Sequence, residues 1–153
     1  MPPGKDRTQD DYTASLAIKD RIVDRRAHMG AAQALRIQAR GVGGAQHVVI
    51  TLVESDGTSW SARLTLPPKW QDIVVPLRDL QIAMGVKLPQ GFPGRWSYWL
   101  APPKGRGGSD DRPNLRMIEH LQVSFRPEAA RVSPEEDAAD AWADIASVAL
   151  VFK

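Results

Sequence analysis

Between residues 34 and 66 apolar and polar side chains alternate with a period of two, interrupted only by turn residues. Leu35, Ile37 and Ala39 alternate with Arg36, Gln38 and Arg40, which is the pattern of a strand with one wet face. Gly41-Val-Gly-Gly reads as a turn. Val48, Ile50 and Leu52 lie in the β-branched run His47–Glu54, which predicts the next strand. Ser55-Asp56-Gly57-Thr58 supplies turn chemistry, with Gly57 free to take positive φ. Beyond it Trp60, Ala62, Leu64 and Leu66 share one face, and Ser61, Arg63 and Thr65 the other. Two alternating runs around an Asp-Gly turn predict a β-hairpin.

The same grammar extends over most of the chain. Pro67-Pro68 ends the hairpin, and Trp70–Pro76 predicts a strand that its proline confines to an edge or boundary. Arg78–Met84 reads as a single helical turn, and residues 85–95 as a Gly- and Pro-rich loop leading into the aromatic run Arg95–Leu100. A long loop, 101–114, carries Lys104-Gly-Arg-Gly-Gly-Ser-Asp-Asp-Arg112. Leu121, Val123 and Phe125 alternate with Gln122, Ser124 and Arg126, residues 128–142 are acidic and alanine-rich, and Ile145–Phe152 predicts a final strand. Tyr12, Leu16, Ile18, Ile22 and Val23 fit an irregular first strand better than a short helix, and residues 1–11 read as a disordered lead-in. Residues 12–153 are thus expected to form a single domain. Seven or eight short strands, with no long amphipathic helix and no internal repeat, predict an all-β fold, an antiparallel two-sheet β-sandwich.

Composition narrows the function classes. A chain of 153 residues can bury a core without staples, and it has no cysteine, which excludes a disulfide framework, a thiolate zinc site and a thiol nucleophile. The net charge of +2 is too small to argue for nucleic acid despite a pI near 9.1. No run approaches the roughly 18 apolar residues of a membrane span, so no membrane partner is expected. Met-Pro-Pro-Gly-Lys-Asp-Arg has no hydrophobic run behind it, so no secretory leader is expected. That start fits a cytoplasmic protein, and equally a module of a longer secreted chain.

Four segments carry a resemblance: Leu35–Gly41, Val49–Gly57, Trp70–Leu80 and Ile145–Val151. In order and spacing they resemble the jelly-roll, galactose-binding-like carbohydrate-binding modules, a plan shared by family 11 carbohydrate-binding modules and the complex I intermediate-associated family. The most characteristic element is the Trp-x-x-x-x-Val-Pro-Leu-x-x-Leu run that begins at Trp70, and the resemblance covers residues 34–153. Asp144-Ile145-Ala146-Ser147-Val148 stands where that family often has Ile-Asp-x-Ile. The resemblance implies a module that binds a polysaccharide or oligosaccharide, performs no chemistry, and accompanies an attached glycoside hydrolase. It also implies a β-sandwich with no cofactor beyond an optional structural calcium. A protein-interaction or assembly module is the alternative it leaves open.

Sugars are held by flat aromatic surface and by planar polar groups on the hydroxyls. Trp96, Tyr98 and Trp99 fall within four residues, and on a strand Trp96 and Tyr98 share one face while Trp99 takes the other. At least one of them is therefore a candidate platform. Trp60 is in phase with the core, Trp70 is expected to cap it, and Trp142 to anchor the acidic loop. Arg36, Gln38, Arg63 and Gln122 are the candidate polar contacts, with Arg40, Thr51, Ser124 and Arg126 also out of phase with the core. If their strands are neighbours in one sheet, these residues form one face, and its arginines favour an acidic glycan. The loop around Arg106 lacks a P-loop ending and reads as flexible surface, with Arg106 or Asp110 able to border the face. Glu54 and Glu119 are conceivable glycanase carboxylates, but their places at strand ends read as solvated acids. His28, His47 and His120 have no metal-ligand spacing. Asp20, Asp24 and Asp144 would make a calcium ligand set if the first and last strands pair.

Overall fold

The structure is a computed structural model and describes residues 12–45, 47–87, 98–125 and 142–152. The alternation becomes pleat. Strands β1 (Tyr12–Ala17), β2 (Ala32–Val42), β3 (His47–Glu54), β4 (Ser59–Thr65) and β5 (Gln71–Pro76) are followed by β6 (Gln81–Ala83), β7 (Gly85–Lys87), β8 (Tyr98–Leu100), β9 (Ile118–Phe125) and β10 (Trp142–Phe152). Eight of these form two antiparallel sheets, one ordered β1-β9-β3-β4-β6 and the other β10-β2-β5, while β7 and β8 pair as a separate ribbon. The fold is an all-β two-sheet sandwich.

Register decides which face of each strand is dry. In β2 the residues Leu35, Ile37 and Ala39 are buried while Arg36 and Gln38 are exposed. Val48, Ile50 and Leu52 of β3 lie opposite Leu64, Ala62 and Trp60 of β4, so the hairpin turns one continuous apolar face toward the other layer. Trp60 is 3% exposed and belongs to that core. The Asp-Gly turn forms as expected: Gly57 has φ 89°, and the Thr58 N–H donates to Asp56 Oδ1 at 2.8 Å.

The expected first strand forms over Tyr12–Ala17, but the residues after it depart from that reading. After β1 the chain enters α1 (Lys19–Ile22) and a 3-10 run over Val23–Ala31. The charged stretch Lys19–Arg26 has no alternation to sustain a strand. Ile18 still donates its N–H to the Glu119 carbonyl at 2.8 Å, which ties the turn to β9. Ile18 and Ile22, four residues apart, then meet the core together, and Met29 is buried in it. The helical turn expected after residue 78 is a 3-10 turn at Leu77–Asp79, followed directly by β6. The last strand starts three residues earlier than expected, at Trp142.

The loop over residues 101–114 is pinned rather than loose. Arg106 reaches under it and donates from Nη1 to Glu54 Oε2 at 2.9 Å, to Asp56 Oδ2 at 2.7 Å and to Thr58 Oγ1 at 2.9 Å. Its Nε donates to Asp111 Oδ2 at 2.9 Å. Glu54 has no exposed side-chain surface, and its Oε1 also accepts from Trp60 Nε1 and from the Asn114 N–H, both at 2.8 Å. A buried carboxylate with this many donors is stable only as a set, because an unpaired buried charge is costly.

Two expected outcomes test this architecture. Ile37→Ala should lose about 2–5 kcal/mol of unfolding free energy, whereas Arg36→Ala beside it should stay within about 0.5 kcal/mol, by urea denaturation. Arg106→Ala should lose about 3–5 kcal/mol in the same measurement, because Glu54 is left buried without its cation.

Candidate functional site

The outer face of the β10-β2-β5 sheet gathers aromatic and planar polar groups. Its centre is β2, which turns Arg36, Gln38 and Arg40 outward. Across β2 the register makes rows: Ala149, Arg36 and Val74; then Ser147, Gln38 and Asp72; then Asp144 and Arg40. A bulge between Ile145 and Ser147 shifts the phase of β10 by one, so Asp144 and Ser147 share this face although an even number pairs with an odd one.

Two indoles stand at the Arg40 end of these rows. Trp70, one residue before β5, is 43% exposed, and Trp142, opposite Val42 at the start of β10, is 46% exposed. The Arg40 guanidinium lies over the Trp70 ring, 4.9 Å from its centroid, and its Nε donates to Asp144 Oδ2 at 2.8 Å. The ion pair is half exposed and adds up to about 1 kcal/mol. Its greater effect is positional, since the carboxylate holds the guanidinium in place over one side of the indole. The two tryptophans are separated by two inter-strand spacings and by about two residues along the strand, roughly 12 Å. Between them stands Arg40, held by Asp144, and the face continues to one side through the rows of Gln38 and Arg36.

The structure corrects several expectations. Trp70 does not cap the core, because Pro67-Pro68 delivers it to the outer phase of β5. Trp142 begins β10 on the outer side, and the acidic loop it is expected to anchor lies outside the described residues. The polar residues do not share one face. Arg36, Gln38 and Arg40 lie on the three-stranded layer, whereas Thr51, Arg63, Gln122 and Ser124 belong to the five-stranded layer, whose outer side points the opposite way. There Ser15, Gln122, Thr51, Ser61 and Gln81 form a row across five strands, with Thr51 and Ser61 hydrogen-bonded at 2.7 Å. Gln122 is 3% exposed, so it is not an open contact, while Arg63 is exposed.

Tyr98 and Trp99 lie in β8, opposite Lys87 and Val86 of β7. That ribbon joins the five-stranded side. Gly85 passes so close to Ser59 and Val53 that a Cβ there would collide with the Ser59 hydroxyl, which explains why these two outward residues are buried. Trp96 and Arg126 lie outside the described residues, as do residues 1–11 and most of the acidic stretch. The ribbon that carries Trp99 is therefore separate from the three-stranded layer that carries Arg36.

Of the two carboxylates at strand ends, Glu54 departs from the expectation and Glu119 remains at the surface. Glu54 is not a solvated acid but the buried centre of the Arg106 set. Glu119 accepts from Lys19 Nζ at 2.8 Å, which lowers its pKa. Asp110 is exposed on the pinned loop, and Arg106 is consumed within it. Asp20, Asp24 and Asp144 do not meet, because β1 pairs with β9 and β10 with β2, and no cluster of three potential ligands occurs among the described residues. Compared with protein-family models, curated proteins and solved structures, the chain matches none.

The Arg106 set carries a pH signature. The Arg106 hydrogen bond, with a second from the Gly107 N–H, holds the Asp111 carboxyl down at about 2 from 3.8. Partial burial raises Asp56, but the Thr58 N–H and hydroxyl and Arg106 outweigh it, and its pKa falls. Hydrogen bonds to Asp111 and then Glu54 hold Arg106 further above its ordinary value. Carboxyls depressed in the folded state stabilise it fully above the ordinary Asp value of 3.8, and that contribution disappears as pH falls through about 2. Wild-type protein should therefore lose thermal stability across that window, with amide exchange in residues 104–114 rising first. Arg106→Ala should flatten the dependence.

Proposed function

We propose that the protein is a noncatalytic carbohydrate-binding module. The carrying observation is the pair of exposed indoles, Trp70 and Trp142, on either side of Arg40 at one end of a sheet face that continues through Gln38 and Arg36. An exposed tryptophan offers the CH face of a pyranose a large apolar area at small entropic cost. Arg40, held by Asp144, fixes the Trp70 ring before ligand arrives, which lowers the ordering cost of binding. Gln38, Arg36, Asp72 and Ser147 supply donors and acceptors for hydroxyls in the rows beside it.

The spacing of the two rings suits a chain of linked sugars rather than a single one, because a monosaccharide resting on one ring leaves the second unused. Two stacking sites along one chain act through effective concentration, so modest contacts add to useful affinity. The antiparallel two-sheet sandwich is the architecture expected from the jelly-roll resemblance of the sequence. An attached glycoside hydrolase would gain local substrate from such a module. The arginines favour glycans that carry carboxylate or sulfate groups.

Affinity electrophoresis of the full chain in gels containing neutral and acidic polysaccharides is the direct test. Retardation should appear in at least one gel. Trp70→Ala and Trp142→Ala should each weaken it on the order of tenfold while leaving circular dichroism unchanged. If retardation is lost only in Trp99→Ala, the ligand sits on the separate ribbon and the assignment to this face fails.

A further inference from the structure

The two layers do not close on each other along their β1 and β10 edges. Leu16 faces the interlayer space by register, opposite Leu121, yet it is 54% exposed. On the facing layer Ile145, Val148 and Leu150 pair with the buried Ala39, Ile37 and Leu35 but are themselves only partly buried. Between these edges lies a cavity of about 690 Å³ that reaches from Phe152 and Leu16 down to the core residues Leu35, Leu52 and Leu121. The space is open to solvent at its rim and lined mostly by apolar side chains, so a solute that covers them is favoured by removing that surface from water. Its size falls within the roughly 300–1,000 Å³ of small-molecule sites.

The charge on its wall is one-sided. Arg21 and Arg25, four residues apart on the turn after β1, line the same cavity. Neither guanidinium has an ion-pair or hydrogen-bond partner among the described residues, and no described acid lines the space; the neighbouring Asp20 and Asp24 are exposed outside it. A deep apolar wedge with two guanidinium groups selects a molecule with a long apolar body and an anionic head.

We propose that this wedge binds a free long-chain fatty acid. The alkyl chain lies between the layers against Leu35, Leu52 and Val148, and the carboxylate sits on Arg21 and Arg25. Guanidinium groups suit that head because they match a carboxylate with two parallel donors. A second copy of the protein would leave the floor of the wedge unfilled, and a bilayer surface would not reach it. The wedge shares its β10 rim, at Ser147 and Ala149, with the outer face of the β10-β2-β5 layer, but neither Trp70 nor Trp142 lines it.

Isothermal titration of the full chain with oleate, below its micelle concentration, tests the proposal. One saturable site is expected. The double variant Arg21→Glu/Arg25→Glu should weaken oleate about tenfold or more while leaving oleyl alcohol unchanged, since only the charged head is lost. Val148→Trp, which fills the space, should abolish binding of both without lowering the melting temperature, and Trp70→Ala should bind as wild type. The proposal is overturned by absence of saturation in a folded protein or by equal loss of oleate and oleyl alcohol in the charge-reversed variant. Flotation with phosphatidylglycerol vesicles in preference to free oleate, or a dimer in sedimentation that excludes oleate, overturns it as well.

Discussion

Everything in this molecule depends on the burial of one side of a pleat against one side of another. Leu35, Ile37 and Ala39 from one layer and Val48, Ile50 and Leu52 from the other belong to a single buried cluster. Each fully buried aliphatic side chain adds roughly 1.5–3 kcal/mol. Because side chains alternate across a strand, burying this set forces Arg36, Gln38 and Arg40 to the outside. The candidate binding face is thus a geometric consequence of the core: a shift of one residue in β2 would destroy both together.

The Arg106 set solves a different problem. The β3–β4 hairpin ends in a turn that would place Glu54 against apolar neighbours with its charge unanswered. The long loop returns Arg106 to that carboxylate and brings Asp111 as a second anchor, while Trp60 contributes its indole N–H. Trp60 therefore works in two ways, as core volume and as a hydrogen-bond donor. The arrangement makes the loop part of the fold, and it takes Glu54 and Arg106 out of the pool of residues able to meet a ligand.

The sandwich is well filled at its centre and thin along one side. In β10, β2 and β5 the strand at the edge carries its inward residues only partly buried, and on the opposite layer β1 does the same with Leu16. Large sheets twist, so two layers aligned at their centres diverge toward their margins. Divergence leaves either an exposed apolar margin or a space shaped for something else, and the arginines of the turn after β1 stand over that space.

Much of the fold was readable from periodicity. The strands β2, β3 and β4, the Asp56-Gly57 turn and the core position of Trp60 all follow from which residues alternate and where glycine permits a turn. The in-or-out orientation of Arg36 and Gln38 was equally legible, because it depends only on neighbours two residues away. What alternation cannot express is which sheet a strand joins. Gln122 and Arg36 have the same local pattern, yet one is buried on the five-stranded layer and the other exposed on the three-stranded layer. The exposure of Trp70 and Trp142 was hidden for a related reason. Each sits at a strand start, where the phase is set by a proline pair or by a bulge and by pairing with β2, partners that lie from about thirty to a hundred residues away. Local side-chain chemistry determined the pleat and its wet side; long-range strand pairing alone decided which wet residues became neighbours.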